Sequence, residues 1–162
     1  MEIRPGWGVG PLPFGVTEAT VVAALGPPDK RYTTDSGVRR FQFFGPRLEL
    51  AFEPENGDRF GWAEVHDPGA VLRGRRVVGE PAADVVEWIA ATLGERPEHS
   101  EVGGSESYFF PRGWVDLWVG FGRVVSVNLG VMYGEDDEPV WPSEGLTKCD
   151  SRRARVRNRA SS

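Results

Sequence analysis

Two histidines could supply an imidazole base in this chain, and neither lies in a catalytic motif. His66 precedes Asp67 at the end of a predicted strand. Adjacent strand residues point to opposite faces of a sheet, so this pair does not form a catalytic dyad. His99 lies in a Pro-Glu-His-Ser loop. Two separated histidines without a cysteine partner make a poor zinc site, although Asp or Glu side chains could complete one. We therefore expect no catalytic residue and no bound metal.

Two further patterns superficially match ligand-binding motifs. The glycines of residues 6–10 have the Gly-x-Gly-x-Gly spacing of a dinucleotide loop, but Pro11 and Pro13 separate them from the first predicted helix. The acidic run at residues 135–138 lacks the spaced ligands and central glycine of a calcium-binding loop. We interpret the first pattern as a turn and the second as a solvated linker, and we expect no cofactor.

Glu49 and Asp116 could form a carboxylate pair of the glycosidase kind, because both lie on one face of the predicted sheet. Such a pair needs an apolar pocket that raises the pKa of one carboxyl group. An open sheet face offers no such pocket, so this pattern does not indicate an enzyme.

The charge of the chain is divided unevenly between its body and its end. The chain has 162 residues, of which 40% are hydrophobic, and a net charge of -5, which is consistent with one domain around a packed core. Residues 1–146 carry a charge of -10 and residues 147–162 carry +5. An acidic body repels nucleic acid and favours a basic or Arg-bearing protein partner. We interpret the Arg-rich end as a solvated tail.

Cys149 is the single cysteine of the chain, so no intramolecular disulfide can form. The start of the chain lacks the pattern of a signal peptide, and no stretch of about 18 apolar residues predicts a membrane span. We therefore expect a cytoplasmic protein without a membrane partner. The 17 arginines against two lysines suggest a GC-rich bacterial genome.

Two helices are predicted. Residues 17–25 begin with Thr17 as an N-cap and end at Gly26, which two prolines follow. Residues 81–93 begin with Pro81 in the first turn, carry an apolar stripe and end at Gly94. The two closing glycines are 68 residues apart.

A period of two follows each helix and predicts three strands per half. The predicted strands are 41–44, 48–52 and 60–65 in the first half, and 108–110, 115–119 and 124–129 in the second. The first strand of the second half begins 67 residues after the first strand of the first half, and the second strands show the same offset. This value is close to the offset of the helices. The chain is therefore expected to contain two degenerate copies of one unit.

These elements predict an α+β fold in which two tandem helix-plus-β-meander units form one continuous antiparallel sheet with the helices on one face. The predicted domain spans residues 1–133, with pseudo-repeats at about 3–67 and 75–133. An acidic linker and a basic, disordered tail would follow at residues 134–162. Alternation turns these apolar residues toward the helices: Leu48, Leu50, Phe52, Val115, Leu117, Val119, Val125, Val127 and Leu129.

The opposite face would then be acidic and carry two tryptophans. Its predicted partner-binding residues are Trp118, Trp62, Glu49, Glu64, Asp116 and Asn128, with Ser126 and Gln42 beside them. An exposed tryptophan among carboxylates is typical of a hot spot for a basic partner. Alternatively, Trp118 lies under the acidic linker with Trp141 packed nearby.

The opening residues 5–17, followed by a short helix and Leu25-Gly-Pro-Pro-Asp29, resemble the start of an SmpA/OmlA-type unit. Two such units in tandem, over residues 3–133, resemble the architecture of the β-lactamase inhibitory protein. The second copy departs from the pattern, since Leu93-Gly-Glu-Arg-Pro97 lacks the aspartate. The resemblance implies a binding sheet without chemistry, although a secreted inhibitor would have a signal peptide and disulfides.

We therefore expect a non-enzymatic protein-binding module, of the immunity or inhibitor type, that acts through the acidic, Trp-bearing face. The first alternative is a small-molecule-binding domain or minor hydrolase with a pocket between helix and sheet near His66 or His99. The second is a scaffolding subunit that forms a homodimer through a sheet edge.

Overall fold

The computed structural model describes residues 1–142, which form two helices and thirteen strands. The helices are α1 (Glu18–Leu25) and α2 (Ala82–Leu93). In chain order the strands are β1 (Glu2–Arg4), β2 (Gly8–Val9), β3 (Leu12–Pro13), β4 (Lys30–Thr33), β5 (Arg39–Phe43), β6 (Leu48–Glu53), β7 (Arg59–Val65), β8 (Val71–Leu72), β9 (Arg75–Arg76), β10 (Glu98–Val102), β11 (Ser105–Phe110), β12 (Val115–Gly120) and β13 (Arg123–Gly130). The predicted α+β class is confirmed.

The helix ends follow the predicted capping residues. The Thr17 side chain accepts a hydrogen bond from the Thr20 backbone N–H at 3.3 Å and so caps α1. Gly94 ends α2 in the left-handed conformation, with φ 67°. A residue with a Cβ atom adopts this conformation at a cost, which explains the glycine.

The larger sheet is antiparallel and has eight strands in the order β10-β11-β12-β13-β7-β6-β5-β4. Each helix therefore precedes four strands that pair in sequence, and the last strands of the two sets, β7 and β13, pair with each other. The register places Glu64 opposite Asn128 and Val65 opposite Val127 at this junction.

The sequence predicted one sheet, whereas the described residues form two. A second sheet of five short strands has the order β3-β2-β1-β8-β9, and β1 pairs with β8 in parallel. The prediction was wrong here because strands of two or three residues are too short to show a period of two. Gly8 allows the tight β2–β3 connection, since a Cβ atom at that position would lie 2.0 Å from the Leu12 carbonyl oxygen.

Both edge strands of the larger sheet, β4 and β10, were absent from the sequence prediction. Their sequences, Lys-Arg-Tyr-Thr and Glu-His-Ser-Glu-Val, are polar, and all five residues of β10 are exposed. Charged side chains are common on edge strands, where they prevent pairing with other chains. A strand without a buried face gives no apolar alternation to detect.

One face of the larger sheet, here called the inner face, packs against both helices. Val21 of α1 and Val85 and Ile89 of α2 belong to the same buried cluster as Leu50 and Leu117 of the sheet. The predicted inward residues are buried with one exception. We call the opposite face the outer face.

The exception is Val125, which was predicted to face the helices and is 50% exposed. The register of β12 and β13 shifts between Trp118 and Val119, so Val119 pairs with Val124 and Trp118 with Ser126. This bulge leaves Val125 without a partner and turns Val124 inward, where it is 1% exposed. The period of two cannot reveal an inserted residue.

The packed structure continues past residue 133. Tyr133 and Pro139 form a β-bridge, and Trp141 is buried against Gly15. The alternative in which Trp141 packs near Trp118 does not fit this position, because the ring of Trp141 lies beside the chain that enters α1. The basic tail and Cys149 lie outside the described residues. Within residues 1–142, neither helix is long and apolar enough to cross a membrane.

The bulge makes a testable distinction between two adjacent valines. Val124→Ala removes buried methyl groups and leaves a cavity, so it should lower the free energy of unfolding by about 2 kcal/mol. Val125→Ala should change it by less than about 0.5 kcal/mol. Urea unfolding of both variants at pH 7 measures the difference. A larger loss from Val125→Ala would contradict the observed register.

Candidate functional site

The outer face carries a continuous row of polar side chains across five strands. Cross-strand pairing places Gln42 beside Glu49, Glu49 beside Glu64, Glu64 beside Asn128 and Asn128 beside Asp116. We call these five residues the acidic row. All the polar residues predicted as a partner site lie in this row, because directly paired residues point to the same face.

Tryptophans flank the acidic row on both sides. Trp118 pairs with Ser126 on one side and is 37% exposed. Trp62 lies on the other side, where it pairs with Gly130 and the Arg40 guanidinium lies 4.6 Å from the centre of its ring. The face predicted from alternation is therefore both acidic and aromatic.

The sequence prediction missed Trp114, which also lies on the outer face. Its indole covers Gly130 so closely that a Cβ atom there would lie 2.5 Å from Trp114 Cδ2. Phe109 meets the same ring edge-on, with the ring centres 5.4 Å apart. The available signal was Gly130 at the end of a predicted strand, because a strand glycine often marks a close approach.

Glu49 is satisfied by groups within the chain. Its side chain is 13% exposed. It accepts hydrogen bonds from Tyr32 at 2.7 Å, Arg40 at 2.8 Å and Gln42 at 2.7 Å. Burial of the carboxylate opposes its ionisation, but the three hydrogen bonds outweigh this effect and hold the pKa of Glu49 below its usual value. Glu49 therefore fixes the side chains of β4 and β5 on the outer face.

Glu64 occupies the centre of the row and has weaker partners. One carboxylate oxygen, Oε1, accepts a hydrogen bond from Ser126 Oγ at 3.1 Å and lies 3.2 Å from His66 Nε2. Its side chain is a quarter exposed. Glu64 can therefore still accept hydrogen bonds from outside the chain.

Asp116 ends the row without a cation. No ion pair involves it among residues 1–142, and burial raises its pKa, while the neighbouring Trp118 indole opposes the shift. The neighbouring Asn128 is 5% exposed. One oxygen of each side chain, Oδ1, is buried and has no hydrogen-bond partner. Within residues 1–142, this end of the acidic row therefore has no cationic partner.

The two histidines lie on opposite faces of the sheet. His66 lies beside Glu64 on the outer face, while the carboxylate of Asp67 accepts a hydrogen bond from Gly69 N at 2.8 Å. Asp67 thus stabilises a turn. Its carboxylate and the His66 ring have different partners, as expected for adjacent strand residues. His99 contacts Glu106 at 3.3 Å on the edge hairpin formed by β10 and β11.

A cavity of about 320 Å³ lies beside His66. Residues from β5, β6 and the turn between them line it: Gln42, Phe43, Phe44, Arg47, Leu48 and Glu49. None of these residues belongs to a helix. The alternative interpretation expected a pocket between helix and sheet. The pocket near His66 instead lies among strand and turn residues.

Glu49→Gln should destabilise the protein in a pH-dependent way. The pKa of Glu49 is lower in the folded protein than the ordinary value of 4.5, so its ionised form stabilises the fold above that pH. This contribution is lost as the pH falls through the folded pKa. We expect a loss of about 1–3 kcal/mol at pH 7 and a smaller loss at pH 3, measured by urea unfolding. Equal losses at both values would contradict the assigned hydrogen bonds.

Asp116→Asn should have the opposite effect on the stability of the fold. The folded pKa of Asp116 is raised above the ordinary value of 3.8, so its ionisation destabilises the fold as the pH rises through the folded pKa. Asparagine does not ionise, so it removes the cost of a buried charge. Its side-chain oxygen remains available to the Trp118 indole. The variant should therefore be more stable than wild type at pH 7, with a gain that disappears below pH 3.8, where both states are protonated. Unfolding curves between pH 3 and pH 7 test this expectation.

No family model and no curated protein matches the sequence. Among solved structures, the chain is similar to an extracellular protein containing an SCP domain from Bacillus anthracis, at 13% identity and a TM-score of 0.48. The match covers 70% of this chain and 42% of that one, so the chain spans less than half the length of that protein. A similarity at this level carries no argument about fold or function.

Proposed function

We propose that this chain is a non-enzymatic protein-binding module of the immunity or inhibitor type, and that it binds a basic protein through the outer face. The observation that carries the proposal is the acidic row, which runs across the centre of the sheet between Trp62 and Trp118. The helices pack on the inner face, so the outer face is the surface of the larger sheet that a partner can reach.

The charges of the face favour a cationic partner. Residues 1–146 carry -10, and Asp116 forms no ion pair within residues 1–142. Complementary charges increase the rate of association and exclude acidic partners such as nucleic acid. An arginine or lysine from the partner would supply the cation that Asp116 lacks within residues 1–142.

Trp118 is the expected anchor of the interface. It is 37% exposed, and it lies two residues from Asp116 on the same face of β12, so its ring and that carboxylate face a partner together. Tryptophan is enriched among the residues that contribute most to binding, and arginine stacks on its ring. One partner arginine could therefore contact both Asp116 and Trp118.

The order of the elements supports the tandem architecture within this proposal. We take residues 3–67 and 75–133 as two units of the same type, each with one helix followed by four antiparallel strands. Pairing of β7 with β13 then makes one wide binding surface out of two small sheets. A cytoplasmic location and the resemblance to SmpA/OmlA-type units belong to the same proposal.

A capture experiment with matched charge reversals tests the proposed face. The full chain is immobilised, exposed to lysate of its source cells, and the captured proteins are identified by mass spectrometry. The variants are Trp118→Arg and Glu64→Arg on the outer face. The control is Glu87→Arg, which makes the same charge change as Glu64→Arg at an exposed position of α2. Circular dichroism verifies that each variant is folded.

We expect a basic protein that wild type and Glu87→Arg capture and that both outer-face variants lose. With the purified partner, Trp118→Arg should weaken binding at least about 30-fold, which corresponds to a contribution of about 2 kcal/mol. Affinity should also fall as sodium chloride is raised, because salt screens the charges. Equal capture by all four proteins would exclude the outer face as the interface.

The cavity beside His66 favours small-molecule binding or a minor hydrolase activity as the second candidate. Its walls combine Phe43 and Leu48 with the polar groups of Gln42 and His66, a composition typical of ligand sites. A compound that raises the melting temperature of wild type, but not of His66→Gln, would favour this candidate.

A further inference from the structure

The hairpin of β10 and β11 brings three potential metal ligands together on the inner face of the sheet. Pairing places His99 opposite Tyr108 and Glu101 opposite Glu106, so the four side chains form a square on one face. One ligand atom each from His99, Glu101 and Glu106 can be chosen so that all three lie within 4.8 Å of one another. None of these residues belongs to the acidic row.

The distances suit a small divalent ion. His99 Nε2 lies 3.3 Å from Glu106 Oε2. Two ligands of a tetrahedral zinc ion, each at about 2.0–2.1 Å from the metal, lie about 3.3–3.4 Å apart. Glu101 is exposed, so rotation of its side chain is enough to bring its carboxylate to the same ion.

Two of the ligands are held in position by Tyr108. The rings of His99 and Tyr108 are stacked, with their centres 4.6 Å apart, which fixes the plane of the imidazole. The Tyr108 hydroxyl donates a hydrogen bond to Glu106 Oε2 at 2.9 Å. Such outer contacts orient metal ligands and strengthen binding.

The hairpin also holds an uncompensated pair of like charges. Glu101 and Glu106 are direct cross-strand neighbours, and like charges in this arrangement are destabilising. Among residues 1–142, no lysine or arginine forms an ion pair with either carboxylate. A divalent cation between them would remove this repulsion.

A comparison within the chain separates this cluster from an ordinary His–Glu contact. His66 lies 3.2 Å from Glu64, nearly the same distance as in the His99–Glu106 pair. The carboxylate next to Glu64 in the row is Glu49, which already accepts three hydrogen bonds. His66 therefore lacks a second free carboxylate, and His99 has one.

We propose that His99, Glu101 and Glu106 bind a divalent transition-metal ion, with zinc as the best match to one imidazole and two carboxylates. Three protein ligands leave the fourth tetrahedral position open to water or to a group from another molecule. Calcium and magnesium fit less well, because they prefer six or more oxygen ligands.

Calorimetric titration of the untagged full chain with zinc chloride tests this site, with Cys149→Ser as the background so that the thiol does not bind metal. We expect one zinc ion per chain, with affinity at least tenfold lower in His99→Gln and in Glu106→Gln. Tyr108→Phe removes the hydrogen bond to Glu106 but retains the ring stack, and it should weaken binding by about tenfold.

Two matched variants control for nonspecific binding. His66→Gln removes the other histidine, and Glu98→Gln removes a carboxylate from the opposite face of β10; both should bind zinc as the background protein does. All substituted ligands are on the surface, so circular dichroism should show unchanged folding. Absence of zinc binding at millimolar concentration, or equal affinity of His99→Gln and the background protein, would overturn the proposal.

Discussion

The pairing of β7 with β13 is the constraint on which the rest of the structure depends. It joins the two halves of the larger sheet and buries Ala63, Val65, Val127 and Leu129 completely on the inner face. Because side chains alternate along a strand, this burial forces Glu64 onto the outer face. A shift of one residue would bury that carboxylate and expose the valines, so the hydrophobic effect that holds the halves together also sets the composition of the acidic row.

The acidic row is neutralised unevenly along its length. Glu49 has an arginine, an amide and a hydroxyl as donors, Glu64 has a serine and a histidine, and Asp116 forms no ion pair within residues 1–142. Repulsion between the paired Glu49 and Glu64 is therefore offset on the side of β5. The electrostatic cost remains at β12, where Asp116 and Trp118 meet. In the proposed complex this gradient would orient the basic partner, because a cation would gain most at the end of the row that has no cation.

Alternation in the sequence was enough to predict the class of the fold, the central strands and the polar residues of the outer face. It could not predict β4, which has no buried face, and therefore it could not show that the Tyr32 hydroxyl donates a hydrogen bond to Glu49. The bulge at Val125 inserts a residue that no periodic pattern contains. Trp114 was missed because it precedes its strand in a turn, with φ 47°, and reaches Gly130 only after β12 and β13 pair. Each omission concerns a contact between strands, which the pattern along a single strand does not contain.

The two proposed sites use opposite faces of the same sheet, on different strands, and can be disturbed separately. Glu106 pairs with Val119 and Tyr108 pairs with Leu117, and both partners face the core. Trp118 lies between these two residues on β12 and points to the outer face. A substitution at His99 therefore leaves the outer face unchanged.

The position of the metal cluster at the edge of the sheet has a further physical effect. Within residues 1–142, β10 is an edge strand that pairs with β11 alone, and all of its residues are exposed. An ion bound to both strands would fix the register of this hairpin more firmly than its hydrogen bonds alone.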